Sequence, residues 1–394
     1  MRTSSDRRNS PPADAAVILA LSALVAVLTA GPAPAAVAAA QWSQDGYGAA
    51  NAGYNPVETD IVAGTVRRLR ARWSVTAGHG GASCSGQAPP VVAGDRLFLP
   101  DQTGVAAYAA GTGRRLWRYR FADPMDTHTP LLAVTGGRLI VGLRDCASQS
   151  DPDGRLLALD AATGAQRWSV LRDAPIQAMV VDDGYVAVSG EDAAHSATTV
   201  FRVGDGTLVW DRLWVRMATG VSAGGRLLLA RTTKPGVEAA DIATGAVRWR
   251  RAENLSAVAA DPAGTRFFAT DAGGRLWALS ATSGRTVWSR PAAAGPVATD
   301  GYRIYVARGN DVWARRADTG ALDWSRRLDG PAGRAVLAGG VLYVPAAGRP
   351  LTSLVPDTGE YAGFRSTLDA VGHAVVAGGH LYVTDGSTLR MYAR

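Results

Sequence analysis

The chain has 394 residues, enough for two or three ordinary domains, but a fixed internal period overrides that prior. Its net charge of +7 rests on arginine, since Lys234 is the only lysine. Nucleic-acid binding is excluded on patterning, because the arginines are spread through every repeat and balanced by aspartates rather than clustered on one face among aromatics.

Residues 1–40 read as an export signal. Arg2, Arg7 and Arg8 precede the apolar run AAVILALSALVAVLTA (15–30), Gly31-Pro32 breaks it, and small residues continue to Ala40, with cleavage expected near Ala38-Ala39-Ala40. The run is shorter than the roughly 20 residues a spanning helix needs, so membrane contact is expected only if this segment stays uncleaved. No cysteine follows the run to carry a lipid, and no apolar pair follows Arg7-Arg8 as a twin-arginine signal requires. A secreted or extracytoplasmic location follows. Residues 41–66 form a lead-in segment.

From residue 67 to 394 one theme repeats. YAAGTGRRLW (108–117), LDAATGAQRW (159–168), FRVGDGTLVW (201–210), ADIATGAVRW (240–249), LSATSGRTVW (279–288), RRADTGALDW (315–324) and the worn LVPDTGEYAGF (354–364) place a glycine roughly every forty residues. Between two such marks the pattern is LLAV (131–134), a Gly136-Gly137 turn, RLIVGL (138–143), a polar loop, LLALD (156–160), a Thr163-Gly164 turn and QRWSVL (166–171). That is four short strands with no helical period, an antiparallel four-stranded sheet. Asp and Thr cap local backbone groups and glycine supplies a positive φ, so the motif is the hairpin joining the third and fourth strands.

A tryptophan stands four residues beyond six of the glycines: Trp117, Trp168, Trp210, Trp249, Trp288 and Trp324. A lone sheet cannot bury both faces, so these rings are expected to be buried between neighbours, at about 3–5 kcal/mol each on truncation to alanine. Arginines on the fourth strands (Arg114, Arg115, Arg118, Arg120; Arg248, Arg250, Arg251) read as solvent-side charge that keeps an edge from pairing with another chain. Seven glycine marks give seven sheets, and AVVAGG (374–379), HLYVTDGS (380–387) and TLRMYAR (388–394) give an eighth that lacks a fourth strand. RLRARWSVTA (68–77) carries the Arg-Trp-Ser pattern of Arg167-Trp168-Ser169 and supplies that strand, with Trp73 as its indole. The expected fold is an all-β, eight-bladed propeller closed by its N-terminal strand. A seven-bladed ring would leave two apolar strands without partners.

The repeated Asp-x-x-Thr-Gly-x-x-x-Trp pattern resembles the quinoprotein alcohol dehydrogenase-like propellers, which include PQQ-dependent dehydrogenases and the non-enzymatic BamB. The lead-in, with Trp42, Gly46, Asn55, Val66, Leu69 and Trp73 in order, resembles that family's N-terminal segment. The resemblance implies a fold more than a function, because the repeat builds blades and touches no substrate. Its enzymatic members hold the quinone over the axis, above two adjacent cysteines, with calcium on a carboxylate and an Asn. This sequence has no Cys-Cys pair, no evident carboxylate pair over the mouth and no Cys-x-x-Cys-His haem motif.

Cys84, before the first blade, and Cys146, between the second and third strands of blade two, fall on the same face. One disulfide is expected in an oxidising compartment, with two separate thiols as the alternative. Gln87, His128, Gln177, Thr219, Ser256, Arg334 and His373 each precede a first strand and are expected to ring the channel mouth. His128 and His373 lack a third metal ligand. Asp151-Pro152-Asp153-Gly154, Glu191-Asp192 and Asp271 read as solvated turns rather than calcium sites, and His79, His195 and His380 as isolated surface residues. No Gly-x-Ser-x-Gly, His-Glu-x-x-His or phosphate-binding loop occurs. The sequence therefore points to an exported, monomeric, non-catalytic propeller that binds a protein, peptide or envelope component through one face, with no cofactor. The alternative is a PQQ- and calcium-dependent dehydrogenase of an alcohol or sugar. An assembly role like that of BamB is weakened by the missing lipidation cysteine.

Overall fold

The computed structural model describes residues 41–77, 88–122, 128–145, 153–192, 194, 196–292, 295–369, 372–385 and 388–394. Residues 1–40, expected to be an export signal, and Gln87, Cys84, Cys146, His79 and His195 lie outside the described residues. Eight antiparallel sheets follow one another as the blades of a propeller. In blade two the strands are Leu131–Thr135, Arg138–Arg144, Gly154–Asp160 and Gln166–Arg172, within a residue or two of the sequence reading at their starts. The last blade joins Ala374–Ala377, His380–Thr384 and Thr388–Ala393 to the N-terminal strand Arg70–Thr76, with Trp73 opposite Met391. The one helix among the described residues is the 3₁₀ turn Val66–Arg68, and none is long and apolar enough to cross a membrane.

Inner strands read as unbroken apolar runs because a neighbouring blade covers each of their faces: Val186, Ala187 and Val188 are all fully buried. Fourth strands alternate instead, as Gln166–Arg172 does. The repeated turn is longer than a two-residue hairpin. Asp160 accepts from the backbone N–H of Ala162 and of Thr163 and from the Thr163 hydroxyl, while Gly164, at φ +76°, donates its N–H to the Asp160 carbonyl. A bulge between Ala158 and Leu159 absorbs the extra length. Arg167 then pairs with Asp160, and Arg248 with Asp241 in the same way, at 2.5 and 2.8 Å.

Each indole meets the turn of the following blade. Trp117 lies against Gly164, where an added Cβ would come 2.7 Å from the ring, and its Nε1 donates to the Ala161 carbonyl at 3.1 Å. The same arrangement joins Trp73 to Gly113, Trp168 to Gly206, Trp210 to Gly245, Trp249 to Gly284, Trp288 to Gly320 and Trp324 to Gly359. Glycine is required here twice over, for the positive φ and for the close approach of the ring. Only Trp288 is buried, however; the other six remain partly exposed. The expectation that these rings are buried between neighbours is corrected for those six, each of which keeps part of its surface in solvent. Two of the edge arginines also turn inward: Arg118 pairs with buried Asp101, and Arg251 with Glu253.

Candidate functional site

The lead-in runs along the ends of the inner strands and meets every blade in turn. Gln41 and Trp42 pair antiparallel with Ala93 and Val92 of blade one. Val134 of blade two donates its N–H to the Ser43 carbonyl. The Gln44 amide then stands in for a strand on blade three, donating to the Val181 carbonyl at 2.8 Å and accepting from its N–H at 2.9 Å. Ser222, Ala260 and Thr299, in blades four, five and six, donate to the carbonyls of Ala49, Ala50 and Ala52. Tyr54–Asn55 lies parallel to Leu337–Ala338 of blade seven, and the Asn55 amide reaches the Val376 carbonyl of blade eight at 2.7 Å. Small residues make this possible, since a Cβ at Gly53 would come 2.9 Å from the Ala335 carbonyl oxygen.

This ribbon floors a funnel of about 440 Å3 that opens among the segments leading into the first strands. Of the residues expected at the channel mouth, Gln177, Thr219 and Arg334 line it, together with Gln44, Asp45 and Asn51 of the lead-in. Most of this polarity is committed. Arg334 pairs with Asp45 at 3.3 Å and donates to the Asn51 carbonyl; the Asn51 amide holds the Val258 carbonyl, and the Thr219 hydroxyl that of Ala257. Gln177 donates to the Glu191 carbonyl at 3.1 Å.

His128, Ser256 and His373 do not join this lining. The His128 ring accepts from Arg144 at 3.0 Å, and its pKa is lowered by burial and then by the Arg144 charge. Ser256 borders a separate polar hollow with Glu191, Arg216 and Arg231. The His373 backbone pairs with Thr384. His380 is not a surface residue: it is half-buried against Tyr382, and burial lowers its pKa. Asp271 serves its turn, accepting from the Arg275 N–H and the Trp277 indole. Among the described residues no three His, Cys, Asp or Glu side chains are grouped to hold a metal. Gln44 and Asn51 were missed because a ribbon that bonds through its backbone shows no hydrophobic period; the clustered Gly and Ala of 46–53 are the only sign.

Several known proteins are similar to this chain in sequence or in fold. The polyvinylalcohol dehydrogenase of a Pseudomonas species is 32% identical over 134 residues, 34% of this chain and 20% of that protein, so the chain matches about a fifth of its curated relative. Quinohemoprotein alcohol dehydrogenase from Comamonas testosteroni superposes with a TM-score of 0.69 at 14% identity, over 89% of this chain and 80% of that one. BamB from Moraxella catarrhalis gives 0.58 at 19% identity, over 83% of this chain and 98% of that one. At these identities the superpositions speak to the fold alone. The family model described as outer membrane protein assembly factor BamB matches residues 63–212, 194–296 and 289–362, and the chain therefore belongs to this family of PQQ-like propellers.

Proposed function

We propose that the protein is an exported, non-catalytic propeller that binds another protein, a peptide or an envelope component through one face. The observation that carries this reading is the funnel. A pyrroloquinoline quinone bears three carboxylates, yet the described lining offers one guanidinium, that of Arg334, already paired with Asp45. The one carboxylate of the described lining, Asp45, is the partner of that guanidinium, and the Asn51 amide is taken by the Val258 carbonyl. With its charged and amide groups already committed to one another and to the backbone, this lining favours a binding role over quinone chemistry, and no reaction step is assigned to it. What supports a binding role is the complete ring, together with exposed apolar side chains such as Leu171, Leu213 and Trp214 on its connections and outer strands.

Export rests on residues 1–40, and the expected Cys84–Cys146 disulfide belongs with it. The alternative, a dehydrogenase acting on an alcohol or sugar, is favoured only by the dehydrogenase relatives. Cross-linking and pull-down from the cell envelope, run beside a quinone-binding assay, separates the two. A specific envelope partner and no quinone uptake is the expected result. Tight quinone binding with dye-linked alcohol oxidation after adding quinone and calcium would overturn the proposal.

A further inference from the structure

The repeats allow one crevice to be compared with the next. In two of them the residue two beyond the blade tryptophan reaches toward the third strand of the following blade. Between blades three and four this residue is Arg212, which pairs with the buried Glu238. Between blades four and five it is Arg251, which lies 5.8 Å over Trp277, donates to the Gly284 carbonyl at 2.6 Å and has Glu253 as counter-ion. In both crevices the chain supplies its own carboxylate.

Between blades five and six it does not. Arg290 takes the place of Arg251, Trp313 that of Trp277, and Ala292 that of Glu253. Two further guanidiniums flank the Trp313 ring, Arg308 at 4.4 Å and Arg315 at 5.1 Å from its centre. Arg315 is only 7% exposed; it donates to the carbonyls of Gly320 and Pro291 and its Nε has no partner. Arg290 lies against Gly320 as well. None of the three makes an ion pair among the described residues: Asp311, across the strand pair from Arg308, faces Arg327 at 3.9 Å, and Asp318 pairs with Arg316. Burial and the neighbouring charges of Arg290 and Arg308 both disfavour the charged form of Arg315. A buried cation without a counter-ion, with two exposed cations beside it, is costly and is relieved by an anion from outside.

We infer that this crevice, with the exposed outer strand Leu322–Arg327 beside it, docks an extended acidic segment of a partner protein whose carboxylates meet Arg290, Arg308 and Arg315. Arg308 and Arg315 are set along an indole and Arg290 against Gly320, rather than converging on one point, so the ligand carries separated charges. In an extended peptide, alternate side chains stand roughly 6.6 Å apart on one face. The outer strand has an unpaired backbone edge and carries Arg326 and Arg327, which repel a like strand and suit an acidic one. This inference rests on the binding role proposed above and names its partner's chemistry.

The probe is a fluorescent decapeptide alternating Glu and Val, followed by anisotropy. Arg290→Gln with Arg308→Gln, both exposed, is expected to weaken binding at least about tenfold and to flatten its salt dependence. Arg114→Gln with Arg115→Gln removes the same charge from blade one and should leave the affinity unchanged. Equal effects of the two pairs, or tighter binding of a polyphosphate probe with the same arginine dependence, would overturn the inference. Envelope pull-down with the Arg290/Arg308 double variant separates the two levels. Retention of every wild-type partner sinks the docking site alone, whereas a wild-type protein that retrieves none, yet binds the peptide through these arginines, sinks only the broader reading.

Discussion

Between blades one and two the Trp117 indole lies on Gly164 and donates to the Ala161 carbonyl; between blades seven and eight, Gly363 stands where an indole would be, with Arg67 of the lead-in as its neighbour. The reason is topological. Blade eight takes its third strand from one terminus and its fourth from the other, so it has no Asp-x-x-Thr-Gly turn and no glycine shelf on which a ring could rest. Other contacts seal that seam: Phe364 meets Tyr392 edge-on at 5.5 Å, the Tyr392 hydroxyl holds Thr367, and Ile61, Val66 and Leu69 are buried in the same cluster. Glu58 adds a tie, accepting the Gly379 N–H. Seven seams are thus local and repeated, and the eighth depends on the lead-in.

That contrast can be broken most severely by deleting residues 41–55. The loss of hydrogen bonds to all eight blades should lower stability by more than about 4 kcal/mol, read as a fall in denaturant midpoint. Next, Trp288→Ala should cost about 3–4 kcal/mol, since that ring is buried, while Trp117→Ala, at a partly exposed ring, should cost about 1–2 kcal/mol. Equal costs would show that exposure does not grade the seams. Third, Gly284→Ala drives a methyl to 2.5 Å from the Trp249 ring at φ +69°, for about 2–4 kcal/mol. Gly363→Ala has φ +100° but no atom closer than 3.5 Å, and only backbone strain of about 1–2 kcal/mol is expected there.

The smallest effect is in acid. Asp160 and Asp318 are held at about 2 in the folded chain, chiefly by Arg167 and Arg316, below the ordinary value of 3.8. A depressed carboxylate contributes stability that is present above about pH 4 and lost as the pH falls toward 2. Exchange at pH 3 should therefore quicken in strand Gly154–Asp160 while Thr388–Ala393, which has no such turn, is unaffected. Asp160→Asn should abolish the difference.

The sequence exposed the repeat, the strand pattern and even the borrowed closing strand, because glycine shelves and indoles recur at fixed spacing and a strand without a partner must find one. It did not expose the ring of the lead-in. Residues 43–53 contribute mainly backbone groups, and carbonyls have no signature in a one-letter code. It also overstated the burial of six tryptophans, since position in a repeat says where a ring points but not how far the next blade covers it. Of the channel residues, Gln177, Thr219 and Arg334 converged, while the lining set itself was completed by Gln44, Asp45 and Asn51 from a segment with no visible chemistry.

The lead-in touches the blades in the order of the ring, from Gln41 on the first to Asn55 on the eighth. It therefore works as a tally: a wheel with one leaf more or fewer would leave its last amide facing nothing. And because the Asn55 partner lies 321 residues downstream, that last contact can form only once nearly all of the described chain has been made.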